Sequence, residues 1–132
     1  MTEEQALQYY AEMINTLDAS RLEPYLTKNF CYSSQKVFAE LTSKQAFLYY
    51  IRGKLATLQA SGPGHKVFAE MGVLEKDHPI GPCVLLAQGA KDDLVAVVLA
   101  KTNKSLIERL DLCIVPTVQS VTRTGIYPGL KS

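Results

Sequence analysis

The stretch that decides the fold is 66–75, KVFAEMGVLE, near the middle of a chain of 132 residues. Its side chains alternate between two faces, as they do along a β-strand. One face carries Val67, Ala69, Met71 and Val73, and the other carries Phe68, Glu70, Gly72 and Leu74. The pattern predicts a strand of a sheet, in which the Glu70 carboxylate lies among apolar neighbours.

Strand patterns continue on the C-terminal side of this stretch. The sequence predicts three further strands, at 83–90, 94–102 and 105–115. Short polar segments separate them, so neighbouring strands are expected to pair antiparallel. The tail, residues 116–132, alternates weakly and is expected to form an edge strand, a flap or a loose end.

The N-terminal half has helical periodicity instead. Thr2 opens a first helix with a capping box, and an apolar stripe at helical spacing follows: Leu7, Tyr10, Ile14 and Leu17. A short second helix is predicted to start at Ser20. A capping box of Thr42 and Gln45 predicts a longer helix to about Ala60. Between these helices, two short strands are predicted at 30–35 and 37–41.

Helices followed by a long antiparallel run predict an α+β fold, with one sheet covered by helices on one face. Long antiparallel strands twist and coil, so a curved sheet wrapped around the N-terminal helices is expected to enclose a tapered space. Apolar concavities of this kind are where small molecules bind. The length of 132 residues fits one domain, 1–132.

Composition excludes several classes of partner. The net charge of +1 is too small for electrostatic capture of nucleic acid. No apolar run is long enough to span a bilayer, and the first twenty residues lack the pattern of a secretion signal. We therefore expect a cytoplasmic protein that binds neither nucleic acid nor membrane.

Cysteine and histidine give no sign of metal, cofactor or nucleophile chemistry. Cys31, Cys83 and Cys113 are widely spaced among apolar or β-prone residues, which predicts buried thiols in a reducing compartment. His65 and His78 lie in turn-like segments next to glycine or proline. Because no ligands pair at short spacing, we expect no metal site and no cofactor.

At this point the order of elements resembles the nuclear transport factor 2-like superfamily, over about residues 3–115. The most specific local pattern is YY at 9–10, LDASRL at 17–22, YL at 25–26 and FCY at 30–32. The superfamily includes ketosteroid isomerases, scytalone dehydratase and polyketide cyclases. The resemblance implies a cone-shaped, cystatin-like α+β domain and a homodimer through the sheet face.

Ketosteroid isomerase provides a residue-by-residue comparison. With Asp18 as the anchor, the oxyanion-hole tyrosine of that family falls on Tyr10, and its general-base aspartate falls on Ser34. A neutral serine hydroxyl does not abstract a proton from carbon at neutral pH. The second oxyanion donor has no assignable position, so the resemblance does not imply isomerase activity of that kind.

Several polar residues are candidates for lining the cavity. They are Tyr10, Tyr32, Ser34, Tyr50, Glu70, Gln88, Arg109 and Asp111. Glu70 is either an acid or base with a raised pKa or part of an exposed or oligomer-facing patch. Arg109 and Asp111 share a face of the last strand and form either an interfacial pair or a pocket-lining pair. Gln88 is a neutral group able to orient a ligand.

Three functions remain open from the sequence. The first is non-catalytic binding of a small apolar or weakly polar ligand inside the cone. The second is an isomerase, dehydratase or cyclase that uses Tyr10 as electrophile and Glu70 or Asp111 as base. The third is a protein-interaction module that uses the sheet or the rim of the cone.

Overall fold

The computed structural model describes residues 1–37, 39–76 and 80–130. Its helices are α1 (Glu3–Thr16) and α2 (Lys44–Ala60), with 3-10 turns at Ala19–Arg21, Glu23–Tyr25, Pro63–His65 and Val118–Ser120. Its strands are β1 (Leu26–Ser34), β2 (Ala39–Leu41), β3 (Val67–Leu74), β4 (Gly81–Gln88), β5 (Leu94–Asn103), β6 (Leu106–Cys113) and β7 (Val121–Arg123). His78, which the sequence placed in a turn, lies outside the described residues.

Within the described residues, seven strands form one sheet in the order β2-β1-β6-β5-β4-β3-β7. Five of the six strand pairs are antiparallel, and β1 lies parallel to β6. Register shifts interrupt the β1–β6, β4–β5 and β5–β6 pairs. Such bulges bend a strand and increase its twist, so the sheet curves without closing. The prediction of an α+β fold with a curved sheet is confirmed.

Both long helices lie against one face of the sheet, which we call the inner face. Helix α1 crosses β3, β4 and β5, and α2 lies on β1. The space between helices and sheet is largely filled by fully buried side chains, among them Leu7, Met13, Phe30 and Phe47. The rings of Phe30 and Phe47 meet edge to face with centroids 4.9 Å apart. The cone is therefore mostly a packed core, and only a small part of it stays open.

The helix boundaries follow their capping chemistry. The capping box at Thr2 is present, and α1 ends at Leu17 in the left-handed conformation. The predicted cap of α2 at Thr42 is wrong by one residue, because the Ser43 hydroxyl accepts the backbone N–H of Ala46 at 3.1 Å. The short helix predicted from Ser20 is a pair of 3-10 turns, the first of which is capped by Asp18.

The C-terminal tail crosses the opposite face of the sheet, which we call the outer face. Val118 and Val121 pack against a buried apolar cluster there: Leu74, Cys83, Leu85, Val97 and Cys113. The tail then becomes β7, the edge strand beside β3. Of the three predicted forms for this segment, the structure has the edge strand.

Beyond β7 the tail returns to helix α1 around the edge of β3. The buried Asn15 amide donates to the carbonyls of Ala69 and Pro128, each at 2.8 Å, and its oxygen accepts the Ala69 N–H at 2.8 Å. Gly129 has φ +83° and lies so close to α1 that a Cβ there would approach Thr16 to 2.9 Å. One helix side chain therefore holds both the sheet edge and the tail.

None of the helices in the described part of the chain is both long enough and apolar enough to cross a membrane.

Candidate functional site

The inner face keeps one partly enclosed hollow of about 80 Å³ between α1, α2 and the sheet. We call this space the cavity. Its walls are mainly aliphatic: Ile14, Ile51, Leu58, Val67, Leu86, Val95, Ala96 and Leu112. Its polar lining consists of Tyr10, Tyr32, Lys36, Lys54 and Gln88. Other depressions, of about 290–370 Å³, are wider openings on the surface.

The side chains that α1 and α2 contribute to the cavity follow the spacing of a helix face. Tyr10 and Ile14 are four residues apart on α1 and therefore share one face. Ile51, Lys54 and Leu58 repeat at the same period on α2. The sheet closes the other side with residues of five strands: Tyr32 of β1, Val67 of β3, Leu86 of β4, Ala96 of β5 and Leu112 of β6.

Three tyrosines lie together at the cavity. The rings of Tyr32 and Tyr50 are tilted against each other with centroids 5.8 Å apart. Burial raises the pKa of Tyr10, and the neighbouring Tyr32 and Tyr50 hydroxyls raise it further. Burial also raises the pKa of Tyr32, together with the nearby Tyr50 hydroxyl, against a lowering contribution from Ser34. The phenols of Tyr10 and Tyr32 are therefore neutral hydrogen-bonding groups at neutral pH.

The Tyr10 hydroxyl is available to a guest in the cavity. Tyr10 is only 2% exposed, yet it makes no side-chain hydrogen bond among the described residues. Every fully enclosed side-chain nitrogen or oxygen in the described part of the chain has a partner. The Tyr10 hydroxyl must therefore keep contact with open space, and the space that Tyr10 lines is the cavity.

The mouth of the cavity is cationic. Lys36, Lys54 and Gln88 are the exposed members of the lining, and the described lining contains no carboxylate. Neither lysine forms an ion pair with any described residue. The Lys54 ammonium lies 6.0 Å from the centroid of the Tyr50 ring, which holds it beside the tyrosine cluster.

Ser34 is buried on the inner face, two residues along β1 from Tyr32, but it is not part of the cavity lining. Its hydroxyl accepts the backbone N–H of Lys36 at 3.3 Å. The residue at the position of the isomerase base is thus a neutral group that orders the turn after β1.

Glu70 lies on the outer face, which corrects its expected place in the cavity. The carboxylate is 2% exposed and accepts Arg123 Nε at 2.9 Å, Gly125 N–H at 2.8 Å and the Tyr127 hydroxyl at 3.2 Å. Arg123 also donates to Asp92 at 2.8 Å. Hydrogen bonding to Asp92, and then to Tyr127 and Glu70, raises the pKa of Arg123. Glu70 is the attachment point of the tail.

Arg109 and Asp111 also lie on the outer face and not in the cavity. Arg109 Nε donates to both oxygens of Asp111, at 2.9 and 3.1 Å, and Asp111 also accepts the Ser33 hydroxyl. Glu40 of β2 lies 3.6 Å from Arg109. Of the two expectations for this pair, pocket lining is therefore not met, and an interface remains a proposal.

The structure thus brings Tyr10, Tyr32 and Gln88 together at the cavity, and Tyr50 contacts the Tyr32 ring without being part of the described lining. It brings no carboxylate within the cavity lining in the described ranges, so no acid–base pair is assembled there. Sequence reasoning missed the two lysines. Lys54 has a signal, since it follows Ile51 by three residues on the predicted helix, whereas Lys36 depends on the geometry of a turn.

No protein-family model matches this chain, and no curated protein matches it. Solved structures do. A nuclear transport factor 2-like protein of unknown function from Cytophaga hutchinsonii is 12% identical, with a TM-score of 0.56 over 88% of this chain and 94% of that one. A cystatin-fold protein from Novosphingobium aromaticivorans is 15% identical, with a TM-score of 0.56 over 86% of this chain and 98% of that one.

A third similar structure contains a small ligand. It is a protein with a ketosteroid isomerase-like fold from Catenulispora acidiphila, in complex with trimethylamine. It is 12% identical, with a TM-score of 0.50 over 85% of this chain and 86% of that one. At such identities the similarity shows the fold alone. The chain has the nuclear transport factor 2-like, or cystatin-like, fold that the order of its elements predicted.

Proposed function

We propose that this protein binds a small, largely apolar molecule in the cavity and does not transform it. The observation that carries the proposal is the Tyr10 hydroxyl, a buried donor and acceptor without a described protein partner, set among aliphatic walls. Apolar concavities with a few convergent polar groups are typical ligand sites. The complex of a relative of this fold with trimethylamine is consistent with a ligand of small size.

The volume limits the ligand. A site of about 80 Å³ holds on the order of five to eight non-hydrogen atoms, if each takes roughly the 10–15 Å³ that one water-sized probe needs. A single substituted ring or a short branched chain fits this space, with a polar end at the mouth. A steroid-sized molecule does not fit without rearrangement of the core.

An enzyme of the isomerase or dehydratase type requires a base within hydrogen-bond reach of the substrate. The positions of Glu70 and Asp111 on the outer face, and of Ser34 at the place of the family base, favour binding without catalysis. The hypothesis of an interaction module has less support, because it does not explain why the hydroxyl of the buried residue Tyr10 faces an open cavity.

A matched pair of alanine variants tests the proposal. Ala96 and Ala100 both lie on the inner face of β5, but only Ala96 lines the cavity. We expect Ala96→Leu to fill the hollow at a cost of less than ~1 kcal/mol, whereas Ala100→Leu overpacks a closed core and costs about 1–3 kcal/mol. Benzamide serves as the probe in a titration followed by NMR: its six-carbon ring is within the limit set by the hollow, and its neutral amide is expected to lie at the mouth.

Benzamide is expected to bind the native protein and the Ala100→Leu variant, and to lose binding to Ala96→Leu. Equal binding to the Ala96→Leu variant would place the probe elsewhere and remove the cavity from the proposal. Equal stability costs for the two variants would mean that the hollow is not open in solution.

We also propose that a second copy of the chain covers the part of the outer face that the tail leaves open. Ile114 and Val115 are exposed at the end of β6, Val115 by 68%, near the half-buried Arg109–Asp111 pair. A face that carries both signs of charge can pair with itself about a twofold axis. Light scattering at micromolar concentration is expected to give twice 14.6 kDa, and a mass near the single-chain value contradicts the dimer.

The described chain is further proposed to act as one domain, tail included, in a reducing compartment such as the cytoplasm. All three cysteines are free thiols, which is the usual state of cysteine there.

A further inference from the structure

We propose that the natural ligand of the cavity is an organic monoanion, with an apolar body inside the hollow and a carboxylate or similar group at its mouth. The inference rests on the proposed binding function and specifies its ligand class. It comes from the charges that line the cavity, and these are separate from the apolar walls that argue for binding itself.

The first step is the sign of the charge at the mouth. Both charged residues in the described lining, Lys36 and Lys54, are cations. All four arginines of the chain are in ion pairs: Arg21 with Glu12 and Asp18, Arg52 with Glu23, Arg109 with Glu40 and Asp111, and Arg123 with Glu70 and Asp92. None of the described lysines has such a partner, and the charge of the two that line the cavity therefore remains uncompensated at the mouth.

The second step is that Lys36 stands on an ordered turn. Its neighbour Gln35 makes four hydrogen bonds to the end of β6: its N–H donates to Leu112 O, its side-chain amide donates to Val115 O, and its side-chain oxygen accepts from Ile114 and Val115. The Lys36 N–H in turn donates to the Ser34 hydroxyl. The backbone that carries this ammonium is thereby fixed beside the cavity.

The third step is that Lys54 lines the cavity from a different element, helix α2. Its ammonium lies over the ring of Tyr50, which contacts Tyr32 of the cavity lining. Gln88 adds an exposed amide donor at the end of β4. An anion at the mouth is therefore offered two cations and one neutral donor, next to apolar walls that weaken screening by water.

The fourth step concerns the ligands that these charges disfavour. A cationic ligand of the same size would bring its charge toward two ammonium groups with no described carboxylate in the lining to offset them. A neutral ligand gains the apolar contacts alone. The order of affinity expected from these charges is anion, then neutral molecule, then cation.

Three flat molecules of nearly the same shape test this order: benzoate, benzamide and benzamidine, with charges of −1, 0 and +1 at neutral pH. Each is titrated into the native protein by NMR at low ionic strength. We expect benzoate to bind on the order of tenfold more tightly than benzamide, and benzamidine to bind more weakly than both. Added salt should reduce the preference for benzoate, because screening weakens it.

Variants assign the preference to the lysines. Lys36→Gln and Lys54→Gln are each expected to reduce the benzoate-to-benzamide ratio by about threefold and to leave benzamide affinity unchanged. Lys44→Gln is the control, because Lys44 lies on α2 like Lys54 but outside the cavity lining.

The outcomes separate the two proposals. If benzamide binds in the cavity but benzoate binds no more tightly, or if the lysine variants leave the ratio unchanged, the anionic ligand class is overturned while the binding function stands. If none of the three probes binds the native protein, the binding function fails, and the ligand class fails with it.

Discussion

The two faces of the sheet differ in whether the polar groups compared here have partners within the protein. On the outer face, the Glu70 carboxylate is 2% exposed and is satisfied by three donors from the tail. On the inner face, Tyr10 is also 2% exposed, but its hydroxyl faces the cavity and has no described hydrogen-bond partner, and the lysines at the cavity mouth have no described counterion.

This difference distinguishes polar groups that stabilise the fold from polar groups that are available to a ligand. Buried groups that hold a fold together are paired, because an unpaired one costs free energy. A buried group left without a protein partner beside a hollow is instead available to a ligand. The Arg123–Glu70 pair thus belongs to the closed outer face, and the Tyr10 hydroxyl beside the cavity is open to a ligand.

The largest expected effect comes from breaking the outer-face pairing. Arg123→Ala leaves the buried Glu70 carboxylate without its cation, so we expect a loss of about 3 kcal/mol in the free energy of unfolding. The partial exposure of Arg123, 37%, puts the value at the low end of the usual range. Urea denaturation of the full chain measures it.

Arg52→Ala is the matched control, because the Arg52–Glu23 pair is exposed at the surface and should cost less than ~1 kcal/mol. The double variant Glu70→Gln, Arg123→Ala removes the charge as well and should recover part of the loss. Equal costs for Arg123→Ala and Arg52→Ala would show that Glu70 is not held as described.

A smaller effect is expected from lifting the tail off the outer face. A Cβ at Gly72 would lie 2.6 Å from Val121 and 3.4 Å from the Cys83 sulfur, so Gly72→Val should displace the tail at a cost of about 2 kcal/mol. Burial raises the pKa of Cys83 to about 12 and of Cys113 to about 11, which keeps both thiols unreactive.

Thiol labelling at pH 8, located by mass spectrometry, follows that displacement. In the native protein the half-buried Cys31 should react first. Gly72→Val should speed the labelling of Cys83 at least ~10-fold by giving the reagent access. Gly53→Val on α2, where a Cβ meets nothing within 4 Å, should leave the labelling pattern unchanged. No change in Cys83 labelling in the Gly72→Val variant would contradict the position of the tail.

The smallest effect concerns the inner face and depends on pH. Because the folded protein raises the pKa of Tyr10, stability from the neutral phenol is complete below about pH 10, the unfolded value, and is lost as pH rises toward the folded value. Tyr10→Phe should change the free energy of unfolding by less than ~0.5 kcal/mol at pH 7. Above pH 10, the free energy of unfolding of this variant should fall less steeply with pH than that of the native protein, by up to about 1.4 kcal/mol per pH unit.

Denaturation across pH 9–11 measures the slope, with Tyr49→Phe as the control on a side chain that is 85% exposed. A large loss at pH 7 would mean that the Tyr10 hydroxyl has a protein partner after all.

Local rules made most of the fold predictable. The alternation of 66–75 separated two faces correctly, and the stripe that includes Tyr10 marked the buried side of α1. The pattern could not say which face of the strand meets the helices, because alternation defines two sides without naming either. The sequence therefore predicted correctly which residues share a face with Glu70, but it placed that face toward the cavity, which is wrong.

The remaining site residues depend on long-range geometry. Lys36 reaches the cavity through a turn that Gln35 fastens to the end of β6, some eighty residues away in sequence. The tail alternates too weakly to reveal that three of its residues become an edge strand and that it attaches to Glu70. Neither contact leaves a periodic signal, so sequence reasoning had no means of finding it.

The amide of Asn15 has a consequence for behaviour at high concentration. An exposed strand edge invites other chains to add to the sheet, which is a route to aggregation. Along β3, Asn15 occupies the N–H and carbonyl of Ala69, and Ile126 and Thr124 occupy those of Met71. Strand β7 pairs with residues 72–74 of the same edge. The opposite edge, β2, is only three residues long. Both edges of the sheet are thus protected against the addition of strands from other chains. At the β3 edge, the Asn15 side chain makes the hydrogen bonds that a neighbouring strand would otherwise make.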